Sequence, residues 1–353
     1  MTEIHENKFA FNVGNLQKGD ILVFNTYHPS LNEKMQSRYI HSALYAGDAF
    51  LLESDGFGVA RNHIYSYGFR EIEDAVVLRV KNLSAEQVDE VIRVAGTKLG
   101  TEYGTLEAYR SLRYRETDEQ EHENRMFCSR LIAKSFEFVG VMLVPNPNYC
   151  APKDFINSDK VEIIPDILEE TDADLRKLIE KKAKEREDGD TVLALALLLQ
   201  ELREFYGEDI QNMNQLNVVA SKHPEKDREC IQIIESAQFF QYKALFYKVH
   251  PWTMTNEDFK QHFSKTDDRL WFLRNQISHI EKSYLPTFEN NIEVYSQLIK
   301  LFPQSGYMRY MYDGYSADVA EAKEILQRMY ELMYFTIDED QEGSKIFLDD
   351  LAT

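Results

Sequence analysis

Only three cysteines, Cys128, Cys150 and Cys230, occur in 353 residues. They are too few for a disulfide framework, and none stands in the Cys-x-x-Cys spacing of a zinc site. Each thiol therefore needs its own explanation. Long apolar runs are also missing: the longest, residues 192–199, has eight residues, against the ~18–20 that cross a bilayer. No membrane-spanning helix is expected. Basic charge is scarce, because 40 Lys and Arg stand against 60 Asp and Glu for a net charge of -20; this opposes broad binding to phosphate backbones and leaves room only for a local basic site. The opening Met1-Thr-Glu-Ile-His-Glu-Asn-Lys lacks the positive charge and apolar core of a secretory signal, so a cytoplasmic protein is expected. P-loop, dinucleotide and calcium-loop patterns are absent and the histidines lack metal-ligand spacing, so neither a metal nor a cofactor is expected.

What is present is a composition able to build a sizeable core, 43% hydrophobic and 12% aromatic, in a length that predicts two domains. Up to about residue 80 the pattern is of short β-rich segments broken by Gly, Pro and Asn, predicting strands at 20–24, 39–45, 49–53 and 76–80. Helices are predicted at 84–99, opened by a Ser-x-x-Gln capping box, and at 127–139, stopped by Gly140. From about residue 172 onward, apolar residues three and four apart predict helices in windows 172–187, 191–206, 226–249, 268–301 and 317–335. The expected architecture is an α+β domain over 1–165 followed by an all-helical domain over 166–353, with net charges of -6 and -14. The acidic run 115–124 is expected to be a solvated surface loop.

Cys128 opens a predicted helix whose buried stripe is Leu131, Ile132, Ser135, Phe136 and Val139. The unpaired N–H groups and partial positive charge of a helix N-terminus favour a thiolate and can hold an oxyanion. A thiolate at neutral pH also wants an imidazole, and the best of the nine histidines is His41, at the start of His41-Ser-Ala-Leu-Tyr-Ala-Gly-Asp-Ala-Phe-Leu-Leu-Glu53. This segment reads as a β-hairpin. A two-residue loop at Gly47-Asp48 would put His41 and Glu53 on opposite faces, whereas a three-residue loop at 46–48 sets them directly opposite each other, with Ala43–Leu51 and Tyr45–Ala49 behind. In the second arrangement the carboxylate orients the imidazole and supports its protonated form.

These features together resemble the permuted papain-like cysteine hydrolases, in particular the YiiX-like branch of the NlpC superfamily, over residues of about 14–160. The matching elements are Gly19-Asp20-Ile21, His41-Ser-Ala-Leu-Tyr-Ala-Gly47, Glu53, Gly100-Thr-Glu-Tyr-Gly104, Phe127-Cys128-Ser-Arg-Leu131 and Ala151-Pro-Lys-Asp-Phe-Ile-Asn-Ser158. The resemblance implies a circularly permuted papain-like domain, an antiparallel sheet packed on helices, with Cys128 as nucleophile, His41 as base and Glu53 as orienter. It implies acyl transfer through a thioester, of the amidase or peptidase type, on a peptide, amide or acyl substrate. The hairpin is also similar to that of the lecithin:retinol acyltransferase-like proteins, which usually carry a second histidine where Glu53 stands, so an acyl or lipid transferase remains an alternative. Tyr103 is a candidate for shaping the pocket near Cys128.

In the helical half, Leu270, Leu273, Ile277, Ile280 and Tyr284 form the apolar stripe of one helix, beside Arg274, Asn275 and His279. That Arg-Asn-x-x-x-His element resembles the motif of HEPN domains, helical modules that dimerise and in many members cleave RNA. The looser spacing of Arg and His is not specific, since Arg115 and His122 meet it too. Two alternatives stay open for this half: a HEPN-like ribonuclease module acting transiently on RNA, or a helical module for a protein partner or homodimer. Stable nucleic-acid binding is not expected, because no basic patch with interleaved aromatics occurs.

Overall fold

The strand Ile21–Phe24 explains the sheet around it. All four residues are buried; Ile21 and Val23 enter one hydrophobic core, Leu22 and Phe24 another. A strand apolar on both faces is stable only with a layer on each side. In the computed structural model, which describes residues 7–339 apart from 57, 106, 107, 109, 110, 112–124 and 189, it is an inner strand of an antiparallel sheet. In chain order the strands are β1 (Phe9–Phe11), β2 (Ile21–Phe24), β3 (His41–Gly47), β4 (Phe50–Asp55), β5 (Gly58–His63), β6 (Ala75–Val80), β7 (Val161–Ile164) and β8 (Leu168–Glu170). The main sheet has the order β5-β4-β3-β2-β6-β7, and β1 pairs separately with β8. The four predicted strands thus exist with shifted ends. The acidic run 115–124, with Arg115 and His122, and the first six residues lie outside the described residues.

A short helix α1 (Pro29–Met35) follows β2, and one face of the main sheet carries two longer helices. The helix α2 (Ala85–Gly96) buries Val91 and Ala95 and begins with the capping box foreseen: the Ser84 hydroxyl accepts from the Gln87 N–H, and the Gln87 side chain accepts from the Ser84 N–H. The helix α3 (Cys128–Phe138) buries Leu131, Ile132, Ser135 and Phe136 and stops before Gly140, whose φ of 82° suits a residue without Cβ. The other face is covered by an aromatic layer in which Phe11, Phe24 and Phe69 meet edge to face. Truncating Phe24 would cost about 3–5 kcal/mol by the usual measure of buried aromatic side chains.

The hairpin between β3 and β4 differs from the expected one. Ala43 lies opposite Glu53, Leu44 opposite Leu52 and Tyr45 opposite Leu51, with a bulge between Tyr45 and Gly47. The turn has two residues, Asp48 and Ala49, both left-handed (φ 51° and 62°), as a tight hairpin turn requires. A two-residue turn alone would have set His41 and Glu53 on opposite faces. The bulge adds one residue to β3 and restores the parity. His41 is therefore diagonal to Glu53 on a shared face, rather than directly opposite.

The chain divides into two compact units, Met1–Leu216 and Asn217–Thr353. The expected boundary near 165–170 falls inside the first unit, because the helices α5 (Ala173–Asp188) and α6 (Asp190–Tyr206), which follow the short α4 (Pro152–Ile156), pack within it. Leu195 and Leu199 of α6 close on Gly100, while Arg203 pairs with Glu102 at 2.8 Å. The second unit is helical. Its core gathers Phe246, Phe259, Phe272, Leu273, Ile277 and Ile280 with Ile325, Met329 and Leu332 of the long helix Gly306–Glu339. The window expected at 268–301 is helical throughout, but loosens into a π-helical turn at Ile280–Tyr284 before Leu285–Leu301. Pro286 supplies the reason: it has no N–H to donate and its ring crowds the carbonyl four residues back. Among the described residues no helix is long and apolar enough to cross a membrane.

Candidate active site

The parity restored by the bulge brings His41 and Glu53 together. His41 Nε2 lies 2.6 Å from Glu53 Oε2, and Glu53 is fully buried. A buried carboxylate needs every lone pair engaged. The Tyr67 hydroxyl donates to the same oxygen at 2.6 Å, and Asn62 Nδ2 donates to Oε1 at 2.7 Å. Burial pushes the Glu53 carboxyl up, but the hydrogen bond and positive charge of His41, the charge of Arg186 and the Tyr67 hydroxyl together hold it below its ordinary range. The imidazole is fixed sideways by Phe24, whose ring meets it edge to face at 5.1 Å.

With Nε2 turned to Glu53, the other ring nitrogen is the one free to meet Cys128. Burial opposes protonation of His41, yet its hydrogen bonds to Cys128 and Glu53 and their negative charges more than offset this and push it up to about 10. The sulfur shows the complementary effect: burial raises the Cys128 thiol, whereas the hydrogen bond and charge of His41 and the Ser42 backbone N–H bring it below its ordinary value. The two opposite shifts favour a thiolate beside an imidazolium. Cys128 is the first residue of α3, and Phe127 before it offers no side-chain cap, so the N–H groups of that turn lack helical partners. A second cysteine shows what is specific here. Cys150 is as buried as Cys128 but has no imidazole, and burial drives its thiol upward.

Residues 15–175 match a family described as permuted papain-like amidase enzymes, the YaeF/YiiX or C92 family. Over this segment the chain is similar to the permuted papain-like amidases. The match supports a hydrolase-type function of the cysteine class for the chain. No curated protein and no solved structure matches it.

Within the amidase segment, Tyr103 is bridged to Met126 next to the cysteine helix, and its phenol is pushed up by burial, by the Cys128 sulfur and by Asp55. That places the phenol within electrostatic reach of the thiol. Cys128 and His41 keep only 5% and 8% of their surface exposed, so the approach to the sulfur is narrow. Asp20, to which the sequence gave no chemistry, is a buried anchor gripped by Arg79 through two hydrogen bonds of 2.7 and 2.8 Å. Among the described residues no three of His, Cys, Asp and Glu stand together as a metal ion would require.

Four contributors escaped the sequence: Ser42, Asn62, Tyr67 and Arg186. Asn62 lies on β5, which gave no alternating apolar signal, and Tyr67 follows a short 3-10 turn. Arg186 comes from α5, where its guanidinium lies 4.4 Å from the centre of the Tyr67 ring. The α5 helix was predicted, but nothing in its sequence says that its last turn ends beside Tyr67.

The other predicted site residues, Arg274, Asn275 and His279, share the helix Thr266–His279 of the second unit. Arg274 and Asn275 are exposed. The Asn275 amide donates to the Trp271 carbonyl at 2.9 Å, and the half-buried His279 ring lies against Tyr284 at 4.7 Å. The apolar stripe takes the predicted form, with Leu273, Ile277 and Ile280 buried and Leu270 and Tyr284 partly so.

Proposed function

We propose that the protein is a cysteine hydrolase of the amidase or peptidase type in which Cys128 is the nucleophile, His41 the general base and acid, and Glu53 the orienter. The observation that carries this reading is the convergence of the three side chains: the 2.6 Å contact of His41 with Glu53, and the hydrogen bond between His41 and Cys128.

In this mechanism the thiolate attacks the substrate carbonyl carbon, a C–S bond forms, and the carbonyl π electrons move to oxygen. The Cys128 N–H at the helix start is aimed to receive that oxyanion. When the oxyanion collapses, His41 gives its proton to the leaving amine or alcohol and the C–N or C–O bond breaks, leaving a thioester on Cys128. Neutral His41 then takes a proton from water, hydroxide adds to the thioester, and collapse releases the acid and restores the thiolate with its imidazolium. Glu53, held by Tyr67 and Asn62, keeps the ring turned and its charge balanced throughout. If another alcohol or amine replaces water in the second half, the same residues run an acyl transferase.

The helical unit carries regulation or recruitment in this reading, with a protein partner or a second copy as the occupant. The test is intact-mass detection of a covalent adduct with a small acyl electrophile, suited to a thiol of 5% exposure. Wild type should label at one site, Cys128→Ala and His41→Ala should not, and equal labelling of Cys128→Ala would overturn the assignment.

A further inference from the structure

Glu53 has no exposure and faces charged or polar groups from four elements: His41 of β3, Asn62 of β5, Tyr67 after the turn that follows β5, and Arg186 of α5. In the paired state the charges of Cys128 and His41 cancel, and Glu53 is left as a buried anion. The buried trio then carries one net negative charge, which is costly unless balanced. Arg186 supplies the missing cation. Its guanidinium stacks over Tyr67 at 4.4 Å, and its charge acts on Tyr67, Glu53 and Asp55 of β4. The Tyr67 phenol in turn is kept protonated by burial and by Glu53, so it can only donate to that carboxylate. The neighbours of Arg186 on the same helix work elsewhere: the Lys182 carbonyl accepts from Ser66, and the Lys182 and Glu185 charges bear on His63.

Arg186 lies beyond residues 15–175, which are all that match the amidase family. We propose that Arg186 is a positioning residue of the site, supplied by the end of a helix that runs beyond the family segment, which clamps Tyr67 on Glu53 and balances its charge so that the Cys128 thiol stays ionised beside the imidazolium. This rests on the Cys128–His41–Glu53 reading, but its test does not require turnover.

The experiment is the rate of Cys128 alkylation by iodoacetamide across pH in the full chain, for wild type, Arg186→Met and Arg186→Lys, with Cys128→Ala giving the background from Cys150 and Cys230. The profile has one inflection as the thiol ionises and another as His41 loses its proton. Removing a nearby cation favours the protonated form of every group around it, so Arg186→Met should move both inflections to higher pH by roughly half a unit or more. Arg186→Lys restores the charge without the planar stack, and should return the inflections toward wild type with a lower plateau rate. A residue that merely packs would lower the rate or the melting temperature in both variants and leave the inflections in place; that result overturns the proposal. If circular dichroism shows Arg186→Met unfolded, Arg186→Gln is read by the same criterion. A protein whose inflections respond in this way but which never forms an acyl adduct would sink the hydrolase reading and leave the role of Arg186 standing.

Discussion

Two of the candidate groups contain a histidine and other polar or charged residues, and they differ in how the fold holds the ring. At the hairpin, His41 is 8% exposed and fixed by Glu53, Phe24 and Cys128, groups that arrive from β2, β4 and α3. On Thr266–His279, Arg274 and His279 come from a single helix, with Arg274 exposed and the imidazole resting on Tyr284. The first arrangement shifts two pKa values in opposite directions, which is what acid and base chemistry at one site needs. For the Arg274 group the same spacing follows from helix geometry alone, and helix spacing occurs wherever there is a helix. Long-range convergence, rather than motif spacing, separates the two.

Substitutions can break that comparison. Cys128→Ala should abolish the acyl adduct outright, while Cys150→Ala, which removes an equally buried thiol, should leave it within about twofold; mass spectrometry of the labelled chain decides. His41→Ala should lower the rate of adduct formation by about 10²–10⁴-fold, the usual worth of a general base. Glu53→Gln should cost less, about ten- to a hundredfold, because an orienter leaves part of the catalysis behind. Tyr67→Phe should lower stability by about 1–3 kcal/mol in denaturant titration, since it strips a donor from a buried charge. The smallest effect is expected in the helical unit: Arg274→Ala with His279→Ala should leave labelling unchanged and Arg274→Ala alone should move stability by less than about 0.5 kcal/mol. An RNA-cleaving activity lost in that double variant would instead make the helix a site in its own right.

The pH dependence sharpens the same contrast. The Cys128 thiol is lowered, so its thiolate should persist at a pH where an ordinary cysteine is protonated, and the His41 cation should be lost only as pH rises through about 10. The paired form therefore occupies the window between the two. A Cys128 alkylation rate that tracks a free thiol, rising only where an ordinary cysteine ionises, would show the pair is not formed.

Much of the site could be read from particular residues. The capping box at Ser84, the stripe from Leu131 to Phe136 and the alternation of Ile21 to Phe24 are local periodicities, and each was recovered. The hairpin was harder. Turn length and bulge both change the parity, and the sequence around Gly47 permits either, so the hairpin that carries His41 and Glu53 was legible while their shared face and register were not. Asn62, Tyr67 and Arg186 carried no signal because their roles depend on where β5 and α5 end in space.

By itself the sequence determined a cysteine at a helix start, a histidine and a glutamate in one hairpin, and a helical second half, since each follows from repeats of two or about four residues along the chain. Only the tertiary structure decided that the sulfur meets the imidazole and that Tyr67, Asn62 and Arg186 surround the carboxylate. Those interactions join residues up to 133 positions apart, Glu53 feeling the charge of Arg186, and no local periodicity fixes a distance across so much chain; the packing of layers against the sheet does.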